Sequence, residues 1–195
     1  MNLYVINIHR VMALVLVVAV TGCASIPMDT KVVIRPEILA IQDYALGVDS
    51  RESITVVEEI VRDALTSKNQ SRRVAAELTK LLHLPGTTLD AKQVACRQLW
   101  LVGGPENVSS IAKLLGHVET ADMARYALEG MDTPLVDDQL IYYLDKGPDS
   151  AKPGMINSLA ARGTVSAVPT LQTLSTNGND AIADAARAAL EKLDT

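Results

Sequence analysis

The chain has 195 residues, enough for one domain of ordinary size, and 48% of them are hydrophobic although Phe is absent. Arg10 is the one charged side chain among the first 22 residues, so 17 Lys and Arg remain against 23 Asp and Glu, a net charge of −6. No block of Lys and Arg offers an electrostatic footprint for nucleic acid or for an anionic membrane surface, and we set both aside as primary partners.

Residues 1–22 predict a cleaved export signal. A weakly basic start, MNLYVINIHR, precedes the apolar run VMALVLVVAV and the small residues before Cys23. This run is about half the ~20 residues that a membrane-spanning helix needs. On these features alone, an ordinary signal peptide with an incidental Cys23 stays open.

The residues Val20-Thr21-Gly22-Cys23 closely resemble the bacterial lipobox. That resemblance implies cleavage before Cys23 and acylation of its sulfur and its new amino group, with palmitate as a typical chain, which makes a stable membrane anchor. It also implies, from Ala24, that the protein is sent to the periplasmic face of an outer membrane. Residues 23–34 then form a lipidated tether that reaches on the order of 18 Å as a flexible coil.

Beyond the tether, one hydrophobic pattern repeats with a period of about 30 residues. ARYALEGM begins at Ala124 and the similar ARAALEKL begins at Ala186, with MINSLAAR midway between them. The aligned leucines form two interleaved series, the first Leu65, Leu99, Leu128, Leu159 and Leu190, and the second Leu82, Leu115, Leu144 and Leu174. Two series with one period indicate two structural elements per repeat.

The apolar residues of each element recur at helical spacing, and Gly, Pro and Asn separate the elements. Thr133 before Pro134 is typical of an N-cap followed by proline at the first helical position, and Asn179 before Asp180 supplies another cap. The pattern predicts no strand and helices at 36–46, 51–67, 70–83, 89–102, 105–116, 119–131, 134–146, 149–162, 165–176 and 179–193. A two-helix unit cannot bury its apolar stripe alone, which predicts an all-α solenoid of stacked antiparallel helix pairs, about four to five repeats, over residues 35–195.

The repeats resemble those of exported bacterial HEAT-repeat proteins of the short type named after phycocyanobilin lyases. The segments that carry the resemblance are CRQL (96–99), MARYALE (123–129), INSLAARG (156–163), SAVPTLQTL (166–174) and AARAALEKL (185–193). The resemblance covers residues 70–193, and residues 35–68 match less clearly. It implies a helical interaction domain and no single activity.

The sequence carries no signature of catalysis or metal binding. His83 and His117 lie singly near predicted helix ends, where a cation complements the helix dipole, and neither has ligand spacing to other residues. No nucleophile elbow, HExxH or phosphate loop occurs. We therefore expect no enzyme activity, no cofactor and no metal. Cys96 lacks a partner once lipid occupies Cys23, and its setting favours a small buried side chain over a redox role.

The repeat register predicts one candidate binding surface. By resemblance, the second helix of each pair lines the concave side, and columns beside the aligned leucines place five polar or aromatic residues there: Arg97, Trp100, Tyr126, Glu129 and Asn157. Such residues are common in binding hot spots. Two alternatives stay open. In one, Arg97, Tyr126 and Asn157 bond each other between helices as structural contacts, and in the other, Trp100 turns into the core.

These features together predict a non-catalytic lipoprotein of the cell envelope, anchored through Cys23, that serves as a scaffold for a protein partner. Two other functions stay open. One is a structural subunit of an envelope complex, which makes its contacts through its ends. The other is a bilin-lyase-like enzyme or chaperone, against which the export signal argues.

Overall fold

The computed structural model describes residues 33–194, and the regular structure of these residues is entirely helical, without a strand. The all-α class predicted from the sequence is therefore confirmed. The predicted signal peptide 1–22, the acylation site Cys23 and nearly all of the tether lie outside the described residues.

Ten α-helices form in this part of the chain, the same number as the repeat pattern predicts. They are α1 (Pro36–Leu39), α2 (Glu52–Ala64), α3 (Lys68–Leu82), α4 (Leu89–Val102), α5 (Pro105–Ala112), α6 (Ala121–Glu129), α7 (Pro134–Lys146), α8 (Lys152–Ala161), α9 (Val168–Leu174) and α10 (Asp180–Leu193). Short 3-10 turns follow α5 and precede α8 and α9, at Lys113–Gly116, Asp149–Ala151 and Val165–Ala167.

Side-chain caps set several helix starts. The hydroxyl of Thr88 accepts a hydrogen bond from the N–H of Ala91 at 3.1 Å and begins α4. Thr133, followed by a proline, caps α7, and Asn179 caps α10 through its side-chain oxygen. Each cap satisfies one N–H that the first helical turn leaves unpaired. The caps predicted at Thr133 and Asn179 are confirmed.

The predicted helix 36–46 is wrong beyond Leu39, where α1 ends and a series of turns begins. Its continuation is prevented by tertiary contacts, because the carboxylate of Asp90 accepts the N–H of Leu46 at 2.9 Å and Gly47 has a φ of +80°. The buried side chains of this segment recur every third residue, at Ile38, Ile41 and Tyr44. That spacing suits tight turns rather than an α-helix.

The two leucine series occupy alternate helices. Leu99, Leu128 and Leu159 are fully buried on α4, α6 and α8. The second series is buried at Leu82, Leu115 and Leu144, and the last leucine of each series is half-buried against the same core. Leu65 is the exception: it follows α2, is 52% exposed, and does not belong to the series.

The strongest helix contacts join neighbours in the chain and helices two apart. Consecutive helices pack as α3–α4, α7–α8 and α9–α10, and alternate helices pack as α3–α5, α5–α7, α4–α6, α6–α8 and α8–α10. One hydrophobic cluster runs from Ile38 to Ala189 and contains many alanines. Small side chains let helix axes approach closely, which explains how a chain without Phe fills its core.

Two arginines, Arg35 and Arg162, form hydrogen bonds that join neighbouring helices near their ends. Arg35 donates to the nearly buried carboxylate of Glu77 through its backbone N–H at 3.0 Å and its guanidinium at 2.8 Å, which fastens the start of the domain to α3. The hydrogen bond to Glu77 raises the pKa of Arg35. Arg162, after α8, binds Asp137 and the carbonyl oxygens of Met131 and Thr133.

Within residues 33–194, no helix combines the length and apolarity needed to cross a bilayer.

Candidate functional site

An open groove of about 680 Å³ lies between α4 and α6. It is lined by Gln93, Cys96, Arg97, Glu119, Asp122, Met123, Arg125 and Tyr126. Gln93 and Asp122 border it near the N-terminal ends of the two helices, whereas Trp100 lies against Gly130 at their C-terminal ends. The helices therefore run side by side in the same direction, and two of the predicted site residues, Arg97 and Tyr126, line the groove.

Trp100 and Tyr126 form an exposed aromatic pair at the C-terminal end of the groove. Their ring centroids are 6.2 Å apart, with 26° between the ring planes. The side chains are 42% and 44% exposed, so the alternative that Trp100 turns into the core is wrong. The pair leaves a large apolar ring surface open to solvent beside polar groups.

The backbone of Gly130 lies close to the backbone and the indole of Trp100. A Cβ at this position would lie 2.2 Å from the carbonyl oxygen of Trp100 and 2.7 Å from its Cγ. Any side chain would therefore displace the indole or separate α4 from α6. The close approach of the Gly130 backbone fixes where the aromatic pair stands.

Arg97 is the cation nearest the aromatic pair on α4, one helical turn before Trp100. It is exposed, and among residues 33–194 it has neither an ion-pair partner nor a hydrogen-bond partner. Arg97 also borders a smaller cavity of about 90 Å³ that Glu58 and Asp90 line as well. Neither carboxylate forms an ion pair with Arg97, so within the described residues its guanidinium can receive an anionic group in the groove.

The other two predicted site residues have different positions. Glu129 is half-buried and is held by Arg125 at 2.6 Å and by the hydroxyl of Ser158. Asn157 is exposed, and no hydrogen bond or ion pair joins it to the others within the described residues. The structure thus brings Arg97, Trp100 and Tyr126 together, whereas Glu129 is engaged between helices and Asn157 is not joined to them.

Arg125 is the residue that sequence reasoning missed. Its half-buried guanidinium lies 2.6 Å from Glu129, 3.5 Å from Asp122 and 3.3 Å from Ser158, which links α6 to α8. Its i, i+4 spacing to Glu129 was the available signal. Arg125, Glu129 and Ser158 thus make the hydrogen bonds between α6 and α8. No hydrogen bond joins Arg97, Tyr126 and Asn157 in the described part of the chain.

Cys96 lies beneath the groove and is fully buried, as the sequence predicts. Burial raises the pKa of its thiol to about 12, and the nearby charge of Lys92 opposes that shift. The thiol is therefore protonated at neutral pH, and the reactive thiolate is suppressed.

His83 caps the C-terminus of α3, and its Nε2 lies 3.1 Å from both the carbonyl oxygen and the hydroxyl of Ser110. Burial lowers the pKa of His83, Lys113 and Lys92 add to that shift, and the bond to the Ser110 carbonyl opposes it. Burial therefore acts against a positive charge on His83 at this helix end. Within residues 33–194, no three His, Cys, Asp or Glu side chains are grouped to hold a metal ion.

Comparisons with protein-family models, with curated proteins and with solved structures found no match for this chain. The function proposed below therefore rests on the sequence pattern of residues 1–23 and on the groove between α4 and α6.

Proposed function

We propose that this chain is a lipid-anchored protein of the cell envelope whose helical domain is an α-solenoid of short HEAT-like repeats, and that it serves as a non-catalytic scaffold for a protein partner. The anchor is Cys23, and its support is the lipobox-like Val20–Cys23 after an apolar run. The short tether keeps the domain close to the membrane, at the periplasmic face of the outer membrane.

The packing pattern supports the solenoid. Alternate helices contact one another along two rows, α3–α5–α7 and α4–α6–α8–α10, and consecutive helices join the rows. Each row carries one of the two leucine series. In a solenoid each repeat contacts its neighbours and leaves one elongated face open to partners. We propose that α4 and α6 form part of that face.

The observation that carries the proposal is the exposed aromatic pair beside Arg97, an arginine without an ion-pair partner in the described part of the chain. Trp, Tyr and Arg are the residue types that dominate binding energy at protein interfaces. The sequence has one Trp, and Trp100 stands at the surface on a glycine support instead of in the core. An exposed ring surface of this kind is stabilised when a partner covers it.

The scaffold is tested by chemical cross-linking in cells with the double variant Arg97→Ala/Tyr126→Ala. Both side chains are exposed, so we expect unchanged helix content by circular dichroism and loss of the cross-linked partner. The matched control is Arg73→Ala/Tyr142→Ala, which removes an exposed arginine and an exposed tyrosine on α3 and α7. Unfolding of the first variant would mean that its residues are structural, and an unchanged cross-link would refute binding at the groove.

The anchor is tested separately with Cys23→Ala. We expect this variant to lose incorporation of labelled palmitate and to leave the membrane fraction. Unchanged membrane association would refute the anchor and would leave the scaffold proposal standing.

A further inference from the structure

We propose that the groove between α4 and α6 binds an extended polypeptide segment that lays an apolar residue on the Trp100–Tyr126 rings and directs a carboxylate to Arg97. This inference rests on the proposed scaffold function and adds the chemistry of the partner.

The length of the groove suits a short extended segment. Gln93, Arg97 and Trp100 follow one another on α4 at i, i+4 and i+7, which places them on one stripe. Seven residues of helix span ~10 Å, a distance that about three residues of extended chain cover. Tyr126 faces this stripe from α6, so the segment has contacts on both sides.

The charges of the groove favour a carboxylate at its aromatic end. Arg125 is neutralised by Asp122 and Glu129, whereas Arg97 has no counter-ion among residues 33–194. Glu119 lies in the turn before α6, seven residues before Tyr126 in the chain, and lines the opposite end of the groove. Arg97 is therefore the arginine of the groove whose charge no ion pair within residues 33–194 offsets, and its planar fork of donors matches a carboxylate geometrically.

The aromatic pair favours an apolar neighbour to that carboxylate. The Gly130 backbone lies close to the indole of Trp100 and limits its movement, which lowers the side-chain entropy that Trp100 loses on binding. Grooves lined by aromatic side chains accept proline-rich segments, which are already extended before they bind. A segment in which proline and an acidic residue alternate presents an apolar ring for the Trp100–Tyr126 pair and a carboxylate for Arg97.

Trp100 reports on the site directly, because it is the only Trp in the sequence. The purified, lipidated full chain in detergent is titrated with three blocked peptides in which proline alternates with Glu, Gln or Lys, and Trp emission is recorded. We expect the Pro-Glu peptide to change the emission saturably, with tighter binding than the Pro-Gln peptide and no saturable change with the Pro-Lys peptide.

Arg97→Ala should weaken binding of the Pro-Glu peptide by about tenfold or more, the effect of losing one hydrogen bond between charged groups. Arg97→Lys should retain part of the affinity because it keeps the charge and loses the fork. The control Arg73→Ala removes another exposed arginine, on α3, that has no ion-pair partner among residues 33–194, and it should bind as the unmodified chain does.

Three results would overturn the inference: no saturable change with the Pro-Glu peptide, equal or tighter binding of the Pro-Lys peptide, or full affinity in Arg97→Ala. If the peptide fails while the cellular cross-link still depends on Arg97 and Tyr126, the partner has different chemistry and the scaffold proposal stands. If the peptide and the cross-link both fail, both proposals fail.

Discussion

Gly130 shows how one residue without a side chain shapes the surface of a neighbouring helix. Its backbone lies at φ −73° and ψ −8°, in the right-handed region, so alanine meets no conformational penalty there. The constraint is steric, because the backbone of Trp100 occupies the space that a Cβ would need. The exposed position of the indole thus depends on a residue of the adjacent repeat.

We predict that Gly130→Ala destabilises the domain by roughly 1–3 kcal/mol through overpacking and shifts the emission of Trp100. Chemical denaturation monitored by circular dichroism, together with fluorescence of the native state, measures both effects. Gly178→Ala is the control, since a Cβ there meets no atom within 4 Å, and its effect should stay within about 0.5 kcal/mol. Equal stability of the two variants would show that α4 and α6 do not approach so closely.

His83 gives the domain a pH dependence with a definite sign. Its pKa is lowered in the folded state relative to an ordinary value of about 6.5. Below that pH the unfolded chain takes up a proton more readily than the folded chain, so the free energy of unfolding falls as pH decreases from 7 towards 5. The loss is complete once the pH is below the lowered pKa of the folded state.

We predict that His83→Gln flattens this dependence while His117→Gln leaves it in place. Urea denaturation of the unmodified chain and of both variants at pH 7, 6 and 5 measures the difference. A stability profile that is the same for His83→Gln and the unmodified chain would refute the role of His83.

Among the helices, a residue belongs to the repeating hydrophobic pattern because it lies on the buried stripe of its helix. Being a leucine at the right spacing is not sufficient. Leu159 is fully buried on α8, whereas Leu65 is 52% exposed beyond the end of α2, where Val61 and Ala64 are buried instead. A leucine at the right spacing therefore belongs to the core only when its helix still faces the core at that turn.

Leu159→Ala should destabilise the domain by about 2–5 kcal/mol, the usual cost of a cavity in a packed core. Leu65→Ala should cost about 1 kcal/mol or less, because roughly half of the Leu65 surface is already exposed in the folded chain. Chemical denaturation of both variants under the same conditions checks the contrast. Similar losses for the two would mean that Leu65 belongs to the packed series after all.

For the whole molecule, the sequence predicted the features that local chemistry determines. Helix period, the Thr133 and Asn179 caps and the burial of alternate leucines all follow from nearby residues, and the structure agrees. The sequence-based predictions were wrong where contacts between residues that are distant in the chain determine the structure. The turns after α1 depend on the carboxylate of Asp90, and the bonds between α6 and α8 depend on Arg125 meeting Ser158 across the repeat.

The candidate surface was predicted in part for the same reason. The spacing of the aligned leucines predicted that Arg97 and Tyr126 lie on one face, and both line the groove between α4 and α6. That prediction overlooked that Glu129 is paired with Arg125 four residues earlier on α6, a spacing that the sequence shows. The further bond from Ser158 to Glu129 depends on how α8 packs against α6. Periodicity thus predicts which positions are adjacent, and the packed structure decides which side chains remain available.

The central claim is that the groove between α4 and α6 is the face that captures a partner. Its most direct test places the photo-cross-linking residue benzoylphenylalanine at Tyr126 in living cells and, in parallel, at Tyr142, which is 55% exposed on α7. We predict one discrete cross-linked protein from position 126 and none from position 142. Equal cross-linking from both positions, or none from position 126 in a folded protein, would contradict the account.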